Sequence, residues 1–136
     1  ILTLKAGILA RKKVKANEKI GYSQTFCAAK DIEIAVLGIG YGDGFRRVHS
    51  NSGYVLIDGL KAPIVGNISM DSMTVDVSDI VKQRGANIVH PGQYATIIGG
   101  IGDEKITASM LAKKENTIAF EILTSLAERI TREIIY

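Results

Sequence analysis

Tyr54-Val55-Leu56-Ile57-Asp58-Gly59-Leu60-Lys61-Ala62-Pro63-Ile64-Val65-Gly66-Asn67-Ile68-Ser69-Met70-Asp71-Ser72-Met73-Thr74-Val75-Asp76-Val77 is the stretch on which the reading of the fold turns. Tyr54 to Ile57 and Ala62 to Val65 are short apolar runs flanking Asp58-Gly59, a pair that tolerates positive φ and so suits a type I′ hairpin turn. Further on, Met73, Val75 and Val77 alternate with Thr74, Asp76 and Ser78. That period of two turns one face of a strand to a core and the other to water. After Val65 a polar, methionine-bearing turn interrupts two runs that otherwise read as buried strands. A turn of that composition in that place is shaped for a partner.

Outward from this stretch the period of two persists until near the C-terminus. Leu2, Leu4, Ala6, Ile8 and Ala10 fall on one side of an extended segment, which predicts a long half-buried strand. Asn17-Glu18 supplies a turn. Ile34 to Ile39 is almost continuously apolar and ends in Gly38 and Gly40, as expected of an interior strand that bends where another backbone passes close. Tyr94 to Ile98, after Pro91-Gly92, is a further strand, giving roughly six in all. The spacing changes at Ile106-Thr107. Thr107 is placed to cap a short helix through Ala108 to Lys114, and Asn116 or Thr117 to cap a second from Ile118 to Glu128. Ile118, Ile122, Leu123 and Leu126 form the apolar stripe of that second helix, with Arg129 in its last turn. Ile130 to Tyr136 returns to strand-like residues. The expected fold is mostly β: a Greek-key, barrel-like or sandwich domain spanning 1–136, with one or two short helices near the C-terminus.

A length of 136 residues suits one domain with a real core. The chain opens Ile1-Leu2-Thr3-Leu4 and its first methionine is Met70, so it reads as a piece of a longer protein. An apolar share of 46% and a mean hydropathy of +0.16 fit a packed globular domain. No apolar run approaches the ~20 residues that span a bilayer. No signal-peptide progression opens the chain, and Cys27 has no second cysteine with which to pair, so a cytoplasmic location is expected. The 17 cations and 14 anions are interspersed. Arg11-Lys12-Lys13 forms a run, read as a solvated strand edge.

Candidate chemistry has to be weighed against ordinary structural roles. The glycines from Gly38 to Gly44 satisfy neither G-x-G-x-x-G nor G-x-x-x-x-G-K-[ST], so a nucleotide loop is rejected in favour of a strand end and bulge needing positive φ. His49 and His90 lie far apart and Cys27 has no partner at ligand spacing, so no metal site is expected. Three phenylalanines and five tyrosines, without interleaved lysines, make no stacking platform for nucleic acid. Tyr22 lies between Gly21 and Ser23 in a turn-prone stretch, where its phenol need not enter the core. Such a phenol can exchange a proton if a cation or hydrogen bond lowers its pKa from ~10. Arg46 and Arg47 are available cations, although surface arginines ordinarily belong to solvated turns. Met70 would ordinarily fill a core, but it stands between Ser69 and Asp71 in a polar turn.

Three motifs now stand in order: Lys19-Ile20-Gly21-Tyr22-Ser23, Gly40-Tyr41-Gly42-Asp43-Gly44-Phe45-Arg46-Arg47, and Val65-Gly66-Asn67-Ile68-Ser69-Met70-Asp71. With Asp58-Gly59 and Ala62-Pro63-Ile64-Val65-Gly66 between them, they resemble the carboxy-terminal domain of alanine racemase over nearly the whole chain. The resemblance implies a β-rich domain following an eight-stranded α/β barrel that holds pyridoxal 5'-phosphate through a lysine. It implies a homodimer in which this domain of one subunit closes over the cofactor in the barrel of the other. The implied activity is interconversion of L- and D-alanine for peptidoglycan synthesis, and the isolated domain is expected to be inactive. By the same resemblance Tyr22 is the catalytic acid/base on the L-alanine face and Met70 binds substrate through its backbone. Tyr41, Arg47, Asp71 and Phe120 line or support the access corridor. Asn67 stands where many members carry arginine, Phe120 where tyrosine is usual, and Gly42 where alanine is usual. The expected partners are the protein's own barrel, a second subunit and alanine, with neither nucleic acid nor membrane. Two other readings fit the same residues: a small basic β-barrel module binding a protein or RNA surface through Arg11 to Lys13, and a purely structural dimerisation domain.

Overall fold

A computed structural model describes residues 2–20, 23–101, 104–128 and 130–133. The strands are β1 (Leu4–Val14), β2 (Lys19–Ile20), β3 (Phe26–Cys27), β4 (Ile32–Leu37), β5 (Tyr54–Ile57), β6 (Leu60–Val65), β7 (Met73–Asp76), β8 (Tyr94–Ile101) and β9 (Glu104–Ile106). The helices are α1 (Ser78–Arg84), α2 (Ala108–Glu115) and α3 (Ala119–Thr124), with 3-10 turns at Tyr41–Asp43, Arg47–His49 and Ala86–Ile88. The main sheet runs β1-β4-β7-β6-β5-β8-β9, and β1 also pairs with β8, so the strands from β1 round to β8 close into a barrel. Within it β5, β6 and β7 follow one another and β8 returns beside β5, the Greek-key order the sequence reading expects. Closure pairs strand edges that would otherwise invite association.

The β5–β6 hairpin forms as its residues dictate. Ile57 pairs with Leu60, and the two turn residues Asp58 and Gly59 both have positive φ, at 52° and 76°. Both central residues of a type I′ turn need that conformation. β1 is less regular. Leu4, Ala6 and Ile8 are buried, but a register shift between Ile8 and Ala10 marks the point where β1 turns from β8 to β4. The irregularity breaks the alternation, so Leu9 is exposed and Ala10 is only half-buried, not on the buried face as its spacing predicts. Beyond it Arg11, Lys12 and Lys13 are exposed, as expected of a solvated edge. Arg11 is nonetheless engaged, pairing with Glu33 at 2.5 Å and donating from Nε to the Val89 carbonyl at 3.1 Å.

The barrel interior is aliphatic: Leu37, Val55, Ile57, Ile68, Val75 and Ile97 are almost wholly buried. A smaller cluster of Val14, Ile20, Ala28, Ile32, Ile34 and Val65 lies beside it.

Several local expectations need correction. A third helix, α1, follows β7 directly in mid-chain, not near the C-terminus. The Asp76 carboxylate accepts hydrogen bonds from the Ser78 amide at 2.9 Å and hydroxyl at 2.7 Å, and Gly85 at φ 87° ends the helix. Seven residues are too few to show helical periodicity. The helix expected from Ile118 to Glu128 is only Ala119–Thr124. Neither proposed cap serves it: Asn116 adopts the left-handed conformation that ends α2, and Ile118 is the capping residue. Within the expected stripe Ile122 is buried, Leu126 half-buried, and Ile118 66% exposed. Residues 130–133 are not strand, while Arg129 and 134–136 lie outside the described residues. Thr107 does cap α2, accepting from the Met110 amide at 3.1 Å.

Candidate functional site

The chain leaving β4 runs from Gly38 to Phe45 across the end of the barrel. Every amide from Gly40 to Phe45 is used internally. Gly40 donates to the Asp43 carboxylate at 3.0 Å, and Tyr41 and Gly42 donate to the carbonyls of Ser69 and Met70 at 3.0 and 2.9 Å. Asp43 and Phe45 donate to the Gly40 carbonyl, and Gly44 to that of Tyr41. A phosphate cradle needs free amides, and the Gly40–Phe45 segment has none to offer. Its glycines answer another demand. Gly40 is extended (φ −150°), so the expected positive φ is absent there. A Cβ on Gly40 would overlap the Ser69 carbonyl oxygen and come within 2.6 Å of the Met70 carbonyl carbon. Gly44 does take positive φ, at 103°.

Opposite this loop the turn Ser69–Ser72 is locked by its own hydroxyls. The Ser69 amide and Oγ both donate to the Ser72 carbonyl at 3.0 Å, and the Ser72 amide donates to Ser69 Oγ at 3.1 Å. The lock lifts Met70 out of the core to 57% exposure, beside Tyr41, itself exposed. Asp71, the next residue, is exposed, and with the buried Asp43 it lines an open groove of about 850 Å³ that also touches Gly38, Ile39, Tyr94 and Ile130.

A second polar cluster lies on the other side of the Tyr41–His49 segment. His49 is fully buried, its ring stacked on Phe45 with centroids 4.6 Å apart. Its Nε2 lies 2.7 Å from Oε2 of Glu115, at the end of α2, and Oε1 of that carboxylate lies 3.1 Å from Arg46 Nε. Burial pushes the His49 pKa below its ordinary value of 6.5, outweighing the opposing pull of Glu115.

Of the residues singled out in the sequence, Tyr41 and Met70 lie on loops joined by the Tyr41–Ser69 and Gly42–Met70 backbone bonds, and Asp71 follows Met70 on the same turn. Arg47 is exposed at the start of its 3-10 turn. Phe120 stands 75% exposed on α3, whose exit is tied to the same loop by the Ala127 amide donating to the Asp43 carbonyl at 3.0 Å. Asn67 is half-buried. Tyr22 lies outside the described residues. Sequence reasoning missed Asp43 as an organiser of its own loop and missed the His49–Glu115 pair. The Asp43 contact repeats a short local pattern, side chain to amide three residues back, and was legible. The 66-residue separation of His49 from Glu115 left no local signal. Among the described residues no group of three or more His, Cys, Asp or Glu side chains could hold a metal ion, and no helix is long and apolar enough to cross a membrane.

The family model of the alanine racemase C-terminal domain matches residues 1–134. The chain belongs to this family. An amino-acid racemase from Enterococcus faecalis is 44% identical over 93% of the chain and 17% of its own length. Alanine racemase from Halothermothrix orenii is 38% identical over 98% of the chain and 34% of its own length. Among solved structures, alanine racemase from Bartonella henselae with covalently bound pyridoxal phosphate superposes with a TM-score of 0.86 at 35% identity, covering 98% of this chain and 34% of that one. The chain therefore spans about a third or less of the length of these relatives. The alanine racemase domain fold, mostly β with its helices set around the barrel, is the one the three motifs imply.

Proposed function

We propose that this domain, residues 1–136, is the closing part of a pyridoxal-phosphate-dependent alanine racemase that interconverts L- and D-alanine. The observation that carries the reading is the paired Tyr41 and Ser69–Ser72 loops, which hold an aromatic ring and a methionine out of the core at an end of the barrel. Exposed apolar side chains clustered on such a face are normally covered by a partner. In this reading the covering parts are the protein's own barrel domain and a second subunit of a homodimer, acting in the cytoplasm, and the D-alanine serves peptidoglycan synthesis.

The glycine loop spends its amides internally, so the cofactor is held by the barrel and this domain contributes one wall. When bound, pyridoxal phosphate acts as the electron sink that makes the substrate's Cα proton removable. Tyr22 exchanges that proton at its phenolic oxygen on the L-alanine face. Met70 presents its backbone amide to the substrate carboxylate, its carbonyl being already occupied by Gly42. Tyr41, Arg47, Asp71 and Phe120 border the path by which alanine reaches the site. Asn67 leaves that path without one fixed positive charge, which lowers the attraction for an anionic carboxylate.

The test is L- to D-alanine conversion by the full-length protein and its Tyr22→Phe variant. The variant keeps the ring and loses the exchangeable proton, so the rate from L-alanine should fall about 10²- to 10⁴-fold with the thermal midpoint nearly unchanged. Exchange of the Cα hydrogen with solvent should fall far more from L-alanine than from D-alanine. Absence of racemisation in the full-length protein overturns the activity, and equal loss from both enantiomers overturns the role of Tyr22.

A further inference from the structure

Helix α3 carries Phe120, and two ties fasten its ends to the segment that carries Tyr41 and Arg47. At its exit the Ala127 amide reaches the Asp43 carbonyl, and Gly44 lies so close to Ser125 that a Cβ there would sit 2.5 Å from the Ser125 carbonyl oxygen. At its approach the tie is electrostatic: Glu115, last residue of α2, sets its carboxylate between His49 Nε2 and Arg46 Nε. Immediately after Glu115 the chain reverses at Asn116, φ 57°, and then presents Ile118 and Phe120 to solvent.

We propose that Glu115 is a positioning residue which, through His49 and Arg46, sets how far the Ile118–Phe120 face stands from Tyr41 and Arg47, and so the width of the substrate's path. This rests on the reading of that face as the path of alanine. The Glu115 side chain is only 4% exposed, and a carboxylate so buried is costly unless partners hold it. A Glu115 oxygen that accepts from Nε2 selects the imidazole tautomer with its proton on that nitrogen. Nδ1 is then a bare acceptor, buried and with no hydrogen-bond partner among the described residues. A second proton on that ring would be a buried donor with nothing to receive it, so the imidazole resists charging, in keeping with its lowered pKa. The charged groups acting on His49 are Glu115, which favours a second proton, and Lys114, which opposes it; Arg46, 57% exposed, pairs with the far oxygen of the same carboxylate by charge at 3.1 Å without hydrogen-bond geometry. The clamp is therefore strongest with His49 neutral, donating from Nε2 to the Glu115 carboxylate.

The experiment uses the full-length protein with Glu115→Gln, Glu115→Asp and His49→Gln. For Glu115→Gln the KM for L-alanine should change roughly ten-fold while kcat moves far less, with Glu115→Asp recovering most of the difference. Backbone amides of residues 118–124 should exchange with solvent faster in Glu115→Gln and His49→Gln, while those of β5 and β6 do not. Nitrogen chemical shifts of His49 should report the Nε2–H tautomer in the wild type. Unchanged exchange over 118–124, or equal loss of kcat and KM effects with a general fall in thermal stability, overturns the positioning role. If the variants show the exchange contrast but the wild-type protein does not racemise alanine, the clamp stands and the activity is overturned instead.

Discussion

The β5–β6 hairpin and the face built from Gly40–Ser50, Ser69–Ser72 and α3 are neighbours in one barrel, yet they obey opposite rules. In the hairpin each residue does what its type predicts: Val55, Leu56 and Ile57 are buried, Asp58 and Gly59 turn, and Lys61 faces solvent. On the other face a carboxylate and an imidazole are buried at Asp43 and His49, while Met70, Ile118 and Phe120 lie open. Polar groups inside and apolar groups outside are both unfavourable for the isolated domain. Local rules are broken in this concentrated way where a surface is shaped for something other than folding. The hairpin teaches how the domain holds itself together, and the opposite face what it is for.

Variants can force the two regions apart. The largest loss of stability should come from the hairpin. Ile57→Ala removes a nearly inaccessible side chain and should cost about 2–5 kcal/mol in chemical denaturation, with activity per folded molecule retained. Next comes Gly40→Ala, whose methyl meets the Ser69 and Met70 backbone. Overpacking against backbone should cost about 1–3 kcal/mol and, unlike Ile57→Ala, should also displace the Met70 turn and depress activity per folded molecule. A Gly40→Ala protein with native kcat/KM would show that the Met70 turn has no part in the chemistry.

The acid response separates the regions more finely. Burial lowers the His49 pKa in the fold, whereas in the unfolded chain it takes up a proton near ~6.5. As pH falls through that value the unfolded chain binds a proton that the native state resists. Stability is therefore fully present above about pH 7 and declines below it, by at most about 1.4 kcal/mol per pH unit for one proton. His49→Gln should flatten the fall of the thermal midpoint between about pH 7 and 5 relative to wild type. An identical slope in both proteins would mean that His49 is not the group responsible.

What the sequence made legible follows the same division. Alternation at Met73–Val77, the Asp58–Gly59 turn and the Thr107 cap are local signals, each fixed by residues a few positions apart, and each is found in the structure. The second terminal helix was read too long because Ile118, Ile122 and Leu126 have helical spacing, yet after Thr124 the chain is drawn aside to dock on Asp43. α1 went unread because its start depends on the Asp76 side chain, not on periodicity. The glycines of the Gly40 loop were visible, but their reason was not: the obstacle at Gly40 is a backbone from a turn some thirty residues away. Tyr41 and Met70 could be singled out by motif, while the Glu115–His49–Arg46 clamp joins elements that only the fold brings together.

The central claim is that the rule-breaking face serves racemisation, and Tyr41→Ala in the full-length protein tests it most directly. The Tyr41 ring is exposed, so its loss should leave the thermal midpoint nearly unmoved, as surface truncations do. If the ring borders the path of alanine, kcat/KM for L-alanine should fall on the order of ten-fold or more. A variant that racemises L-alanine as well as wild type, with its thermal midpoint preserved, would contradict the account.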